Sequence, residues 1–143
     1  MWRFLSPPPA LLGGVLVDRD GDRVCDESRY GAALGDAIVR RGGRAWLLAD
    51  RATLAEARRQ VRGSTLWFQR LQAWYLLAGA VRAPTVAAVA ARAGLPPDRL
   101  EATLAAYNAA ARDPAAPDPA GKPAAARRAQ DQPPLALIDC SVR

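Results

Sequence analysis

Residues 85–112 read TVAAVAARAGLPPDRLEATLAAYNAAAR, and the fold turns on whether this pair of helical segments reads DNA or packs. Thr85 is placed to cap the first helix and Gly94 to end it. Pro96-Pro97 opens the second, with Asp98 in its first turn. A DNA-reading pair needs Arg, Asn, Gln, Ser or Thr at the start of its second helix. This one begins Pro96-Pro97-Asp98-Arg99-Leu100-Glu101, so two carboxylates stand where phosphates would approach. Leu104, Ala105, Ala106, Ala109 and Ala110 follow, which suit packing. The expectation is an αα-hairpin that packs, with a helix-turn-helix regulator as the alternative.

Working outward, GGVLV (13–17) is strand-like, and Asp20-Gly21 is a hairpin signal that sends Arg23-Val24-Cys25 back as a return strand. GAALGDAIVRRGG (31–43) reads as a short helix ended by glycines, and RAWLLAD (44–50) as a buried strand. RATLAEARRQV (51–61) is helical. LWFQRLQAWYLLAGAV (66–81) continues at helical spacing, with Trp67, Leu71, Trp74 and Leu77 or Ala78 on one face that reads first as core. Residues 113–133 are rich in Pro and Ala and predict a long surface loop that buries little. LALIDCSVR (135–143) closes the chain as a strand. The fold class is therefore α+β, a small sheet with several packed helices.

At 143 residues the chain suits one domain with a modest core. Its formal charge is +6, and nineteen of its twenty basic residues are arginine. Arg40-Arg41, Arg58-Arg59 and Arg127-Arg128 are isolated pairs, so the excess reads as a dispersed, solvated surface with no nucleic-acid partner. There is no histidine, which removes His-based triads and most zinc sites. Cys25 and Cys140 have neither metal-ligand nor disulfide-framework spacing, so no metal is expected. The N-terminal apolar run is broken by prolines 7 to 9, and no stretch approaches the ~20 apolar residues of a membrane span. The expected location is cytoplasmic. Both ends are apolar, and ends that want burial predict a part of something larger, marginal in stability by itself.

With its flanks, the opening stretch resembles a region of the FAD-dependent fumarate reductase and 3-ketosteroid dehydrogenase group. Ala93-Gly94, Tyr107-Asn108, Asp118 and Gly121-Lys122-Pro123 match that group's helix, turn, helix and loop, and PPLALIDCSVR its returning strand. GGVLVDRDGDRVCDESRYG (13–31) resembles its Gly-Gly, strand, Gly-x-Arg and Asp-Glu segment. The resemblance implies the substrate-binding cap of a two-domain flavoprotein. Residues 1–30 would be a hairpin bordering the FAD domain, 31–112 a cap-like domain, 113–133 a loop, and 134–143 a strand returning toward the FAD domain.

It also implies FAD as cofactor and a small-molecule substrate, steroid-like in the ketosteroid branch, with hydride and proton transfer across a C–C bond beside a carbonyl. In the ketosteroid branch a tyrosine after the Asp-Glu pair lies in the active site, which corresponds to Tyr30. Fumarate reductases place an arginine acid nearby, for which Arg29 is the alternative. Tyr30 would otherwise be an ordinary tyrosine at a strand-to-helix junction. A tyrosine hydroxyl, with a free pKa near ~10, can relay a proton or donate to a developing enolate. No GxGxxG loop is present: Gly13-Gly14 and Gly42-Gly43 lack the spacing, so no cofactor-binding residue is assigned. The chain is expected to depend on an FAD-binding portion in cis or trans and not to turn over alone. A non-catalytic hydrophobic-ligand binder, using Trp67, Trp74 and Tyr75 as its pocket, is the further alternative.

Overall fold

The computed structural model describes residues 8–29 and 31–142. A 3-10 turn, Pro9–Gly13, leads into β1 (Val15–Asp18). Then come α1 (Gly31–Arg40), β2 (Ala45–Ala49), α2 (Arg51–Gly63), α3 (Trp67–Ala78) and β3 (Val81–Ala83). The chain continues through α4 (Val86–Ala93), α5 (Pro97–Arg112), a second 3-10 turn (Ala124–Ala126) and β4 (Leu135–Asp139). The strands form one antiparallel sheet in the order β1-β2-β4-β3. The α+β expectation holds.

Both faces of this sheet are covered, which explains why its strands are almost unbroken apolar runs. Leu16, Ala45, Leu47, Ala49, Ala136 and Ile138 meet Ile38 of α1, Leu54 and Ala57 of α2, and Leu76 and Leu77 of α3. Val15, Val17, Leu48, Leu135 and Leu137 meet Val89 and Ala90 of α4 and Leu100, Leu104 and Tyr107 of α5. The alternation along each strand sorts its side chains between two cores.

The opening stretch packs as expected. Thr85 Oγ1 accepts from the Ala88 amide at 3.1 Å, and Gly94 ends α4 in the left-handed region at φ 75°. The start of α5 lies against the Asp20-Gly21 turn: Thr103 Oγ1 donates to the Gly21 carbonyl at 2.6 Å, and Arg99 pairs with Asp22. The first turn of a would-be recognition helix is thus engaged within the chain.

Four expectations need correction. The return strand after Gly21 shrinks to a single bridge, Val17 to Arg23. Its physical cause is a carboxylate: Glu27 Oε1 takes the Leu16 amide at 2.8 Å, in place of a strand carbonyl. Second, the helix through Trp74 stops at Ala78, and Val81–Ala83 forms the unforeseen edge strand β3. Third, the Trp67, Leu71, Trp74 stripe is not core. These residues are 73%, 59% and 66% exposed, while Ala73, Leu76 and Leu77 make the inward face. Fourth, loop 113–133 buries Asp118, Lys122 and Gln130. Its low apolar content excludes a hydrophobic core and not a polar one.

The last strand is also better supported than its position suggests. β4 lies inside the sheet with a partner on each side, so it does not lose its neighbours in the isolated chain.

Candidate functional site

The residues that carry the family resemblance converge on one buried polar network. Gly21 sets the turn that returns Arg23 to β1. Arg23 grips Glu27 with two parallel bonds, Nε to Oε1 at 3.0 Å and Nη2 to Oε2 at 2.8 Å. Its third arm, Nη1, reaches Asp118 Oδ1 at 2.5 Å. Lys122, fully buried, places Nζ 3.3 Å from Glu27 Oε2 and donates to the carbonyls of Leu12 (2.6 Å) and Gly14 (3.1 Å). Two cations thus face two carboxylates, and the cluster is neutral as a whole. The Tyr107 ring lies against both cations, 4.8 Å from the Arg23 guanidinium and 5.1 Å from Lys122 Nζ.

Electrostatics follow from this geometry. Burial by itself would loosen the Arg23 proton, but Glu27 and Asp118 outweigh it and hold the guanidinium above its ordinary value. Burial pushes the Asp118 carboxyl up, yet the Arg23 bond and the Lys122 and Ala120 amides bring it below its ordinary value. Lys122 moves down, because burial exceeds the pull of Glu27. Burial raises Tyr107, whose hydroxyl donates to the Gly13 carbonyl at 2.9 Å and accepts from the Arg128 amide at 3.0 Å.

A second polar cluster joins the network's far side. Asn108 and Gln130 exchange bonds, Asn108 Oδ1 accepting at 2.8 Å and Nδ2 donating at 3.2 Å. Gln130 also donates to the Gly13 carbonyl at 2.9 Å and accepts from the Asp50 amide at 2.8 Å. Tyr107-Asn108 thereby ties α5, the loop and the N-terminal turn together. Gly14 cannot carry a side chain there, since a Cβ would lie 2.6 Å from the Leu48 carbonyl. Sequence reading picked out Gly13-Gly14, Arg23, Glu27, Tyr107-Asn108, Asp118 and Lys122 as a pattern, missed what they build, and did not single out Gln130 or Asp50.

Beside the network, a hollow of about 560 Å³ is lined by Arg23, Cys25, Asp26, Arg29, Arg41, Pro119 and Ala120, among others. Arg29 is exposed at its rim, following a turn in which Asp26 Oδ1 accepts from the Ser28 amide (2.8 Å) and hydroxyl (2.6 Å). Arg41 reaches Asp18 at 3.2 Å, and Cys25 is pushed up to about 11 by burial and the nearby Glu27 charge. Tyr30 lies outside the described residues. Arg23 is committed to its carboxylates, and Arg29 and Arg41 are the other two cations lining this hollow.

Trp67 and Trp74 line a different groove, of about 720 Å³, with Leu71, Arg58, Arg62, Arg70 and Arg82; Tyr75 is exposed and not among its lining residues. Arg82 belongs to β3 and Arg23 bridges to β1, so the two sites lie at opposite edges of the sheet. The structure does not bring Arg29 together with Trp67, Trp74 or Tyr75. It also shows a charge distribution that the sequence already held: residues 40–82 carry nine arginines against Asp50 and Glu56. The rest of the chain is near neutral, so the excess is concentrated along the chain, while the fold divides it between the hollow (Arg41) and the groove (Arg58, Arg62, Arg70 and Arg82).

Among the described residues no strand runs into a glycine-rich loop and helix of the kind that cradles a dinucleotide. Gly14 is pressed against β2, and Gly43, at φ 79°, against the Val142 carbonyl, so both serve internal packing. The described glycines do not fit the phosphate-binding loop of an FAD site.

The architecture is that of a partial segment of flavoprotein dehydrogenases and reductases, and the resemblance to the fumarate reductase and 3-ketosteroid dehydrogenase group holds. A 3-oxo-5-alpha-steroid 4-dehydrogenase of Comamonas testosteroni is 38% identical over 78 residues, 53% of this chain and 15% of that protein. A flavocytochrome c3 fumarate reductase in an open conformation matches 96% of the chain and 22% of its own, at 24% identity and a TM-score of 0.74. The 3-ketosteroid-Δ4-(5α)-dehydrogenase of Rhodococcus jostii RHA1, in complex with 4-androstene-3,17-dione, matches 94% of the chain and 26% of its own, at 24% identity and 0.74. A fumarate reductase flavoprotein subunit of Lactobacillus plantarum, solved in solution, matches 96% of the chain and 88% of its own, at 19% identity and 0.72. The structural matches are likenesses of fold. The chain spans about a seventh of the curated relative's length and about a quarter of the first two structures. No protein-family model matches it.

Proposed function

We propose that this chain forms the substrate-side cap of an FAD-dependent oxidoreductase that moves hydrogen across a C–C bond beside a carbonyl, with a 3-oxosteroid as the favoured substrate class. The observation that carries the reading is the 38% identity to a steroid 4-dehydrogenase, together with the convergence of the resemblance residues on one buried network. The flavin-binding portion would come from elsewhere in the polypeptide or from a partner, and the chain alone would not turn over.

In this reading the network is a frame. The Arg23–Glu27 clasp fixes the turn at residues 26–29, which presents Arg29 shortly before the start of α1. Tyr30 would move the proton or hydrogen-bond the enolate oxygen, and Arg29 would stabilise the charge that develops there.

Two measurements test it. Incubated with FAD and passed through gel filtration, the 143-residue chain should elute colourless; retained flavin bands would show a cofactor site of its own and end the cap reading. Residues 8–142 grafted in place of the matching segment of the Rhodococcus jostii enzyme should support steroid oxidation. Tyr30→Phe or Arg29→Ala should then slow it about 10²–10⁴-fold. A chimera that binds FAD and steroid but ignores both substitutions refutes the assignment.

A further inference from the structure

Helix α3 carries large apolar side chains outward as well as inward, with Gln69, Arg70 and Gln72 as its polar residues. Ala73, Leu76 and Leu77 meet the sheet, while Trp67, Phe68, Leu71, Trp74 and Tyr75 stand exposed, as does Leu66 just before the helix. Trp67, Leu71, Trp74 and Ala78 recur at helical spacing as one outward ridge. A surface helix ordinarily puts its polar side there. A contiguous patch of large apolar groups marks a surface that something covers.

The rim of the patch says what kind of cover. Arg58, Arg62 and Arg70 line the adjoining groove, and among the described residues none of them joins an ion pair. They lie in the stretch that holds the chain's net positive charge. A protein interior covering this face would leave three guanidiniums desolvated and unpaired unless it supplied matching carboxylates. Under the proposed function, on which this inference rests, the flavin-bearing portion would meet the hollow at Arg29, at the other edge of the sheet. The occupant must be apolar at its centre and anionic around it.

We infer that α3 and the end of α2 dock the chain on an anionic lipid bilayer, with the helix lying in the plane of the surface. Tryptophan and tyrosine rings suit the headgroup level, leucine and phenylalanine the acyl boundary, and guanidiniums the lipid phosphates. The aliphatic Leu66 and Leu71 among the rings favour hydrocarbon over stacked bases. No helix among the described residues is long and apolar enough to cross a membrane, so the contact is peripheral.

The test uses the full 143-residue chain with vesicles of phosphatidylcholine containing roughly one-third phosphatidylglycerol, read by co-sedimentation and tryptophan emission. Binding should be saturable, should fall with salt, and should be weak on phosphatidylcholine alone. The variant Trp67→Ser/Leu71→Ser/Trp74→Ser should bind about a hundredfold or more weakly. Arg58→Gln/Arg62→Gln/Arg70→Gln should lose about as much. All six positions are exposed, so both variants should keep the parent circular dichroism spectrum. Absence of vesicle binding overturns the inference, as does binding that the aromatic variant leaves unchanged. A dimer that the aromatic variant dissolves without any vesicle binding would assign the face to a second copy, and preference for an oligonucleotide would assign it to nucleic acid. Loss of binding in Trp2→Ser, with the aromatic variant unaffected, would place the contact at the N-terminus instead. None of these readouts depends on flavin or turnover.

Discussion

Replacing Lys122 with methionine probes the buried network most directly. Methionine keeps most of the stem and its burial but removes the ammonium. The carbonyls of Leu12 and Gly14 then lose their donor, at about 1–3 kcal/mol for each group left buried and unsatisfied. Glu27 is not orphaned, since it keeps both Arg23 bonds and the Leu16 amide, but the quartet passes from neutral to net negative. Loss of one partner from a buried ion pair costs about 3–5 kcal/mol. Both costs describe the loss of the same ammonium and do not add, so the expected cost is about 3–5 kcal/mol, a large share of the ~5–15 available to a domain. Urea unfolding followed by far-ultraviolet circular dichroism should show the midpoint falling by about 2 M, given slopes of ~1–3 kcal/mol per M. The pH dependence supplies a second readout. The Lys122 pKa is lowered in the folded state from 10.5, so the unfolded chain binds that proton more tightly. Lys122 therefore contributes a rise of stability with pH between its folded value and 10.5, set against the fall contributed by Cys25, and the difference between parent and Lys122→Met should carry that rising slope. A cost below about 1 kcal/mol with the slope intact would refute the claim that the ammonium holds the N-terminal turn to the loop.

Three further outcomes are expected. Cys25, pushed up to about 11, should react slowly with iodoacetamide at neutral pH and accelerate until the pH approaches that value; rapid labelling at pH 7 would contradict its burial beside Glu27. Asp50→Ala should cost about 2–3 kcal/mol, more than an ordinary cap. Asp50 Oδ1 accepts from the Thr53 amide at 2.8 Å, while Oδ2 accepts from the Gln132 and Asp131 amides at 3.1 and 3.3 Å, so chemical denaturation should show both losses together. Asp118, whose pKa is held below 3.8, contributes stability that is present above 3.8 and lost as pH falls through its folded value; acid titration of Asp118→Asn should show a shallower loss in that window.

The αα-hairpin was legible because its signals are local. Thr85, Gly94 and Pro97 each act within one turn of their own position, and the apolar positions of α5 recur at helical spacing. β2 and β4 were legible as apolar runs bounded by polar residues. β3 was not, because Val-Arg-Ala has no pattern of its own and becomes a strand by pairing with β4 across more than fifty residues. The exposure of Trp67 and Trp74 was equally hidden. Periodicity places side chains on one face of α3, but which face meets the sheet depends on where α2 and β4 lie.

Within the candidate site, Arg29 and Tyr30 were placed by resemblance, and the structure describes the hollow beside Arg29 but not Tyr30. Arg23, Glu27, Asp118 and Lys122 were visible as matched letters far apart in the chain, and nothing in their spacing says that they touch. By itself the sequence determined the apolar strand runs and the capped hairpin, and it held the nine arginines between residues 40 and 82 whose isolated pairs read as dispersed, all properties of neighbours along the chain. Only the tertiary structure decided that a polar loop is pinned by a buried neutral quartet, and that the arginine hollow and the tryptophan ridge lie at opposite sheet edges. The physical reason is that desolvation, charge pairing and exposure are set by distance in space, which chain order does not encode until the sheet brings its strands together.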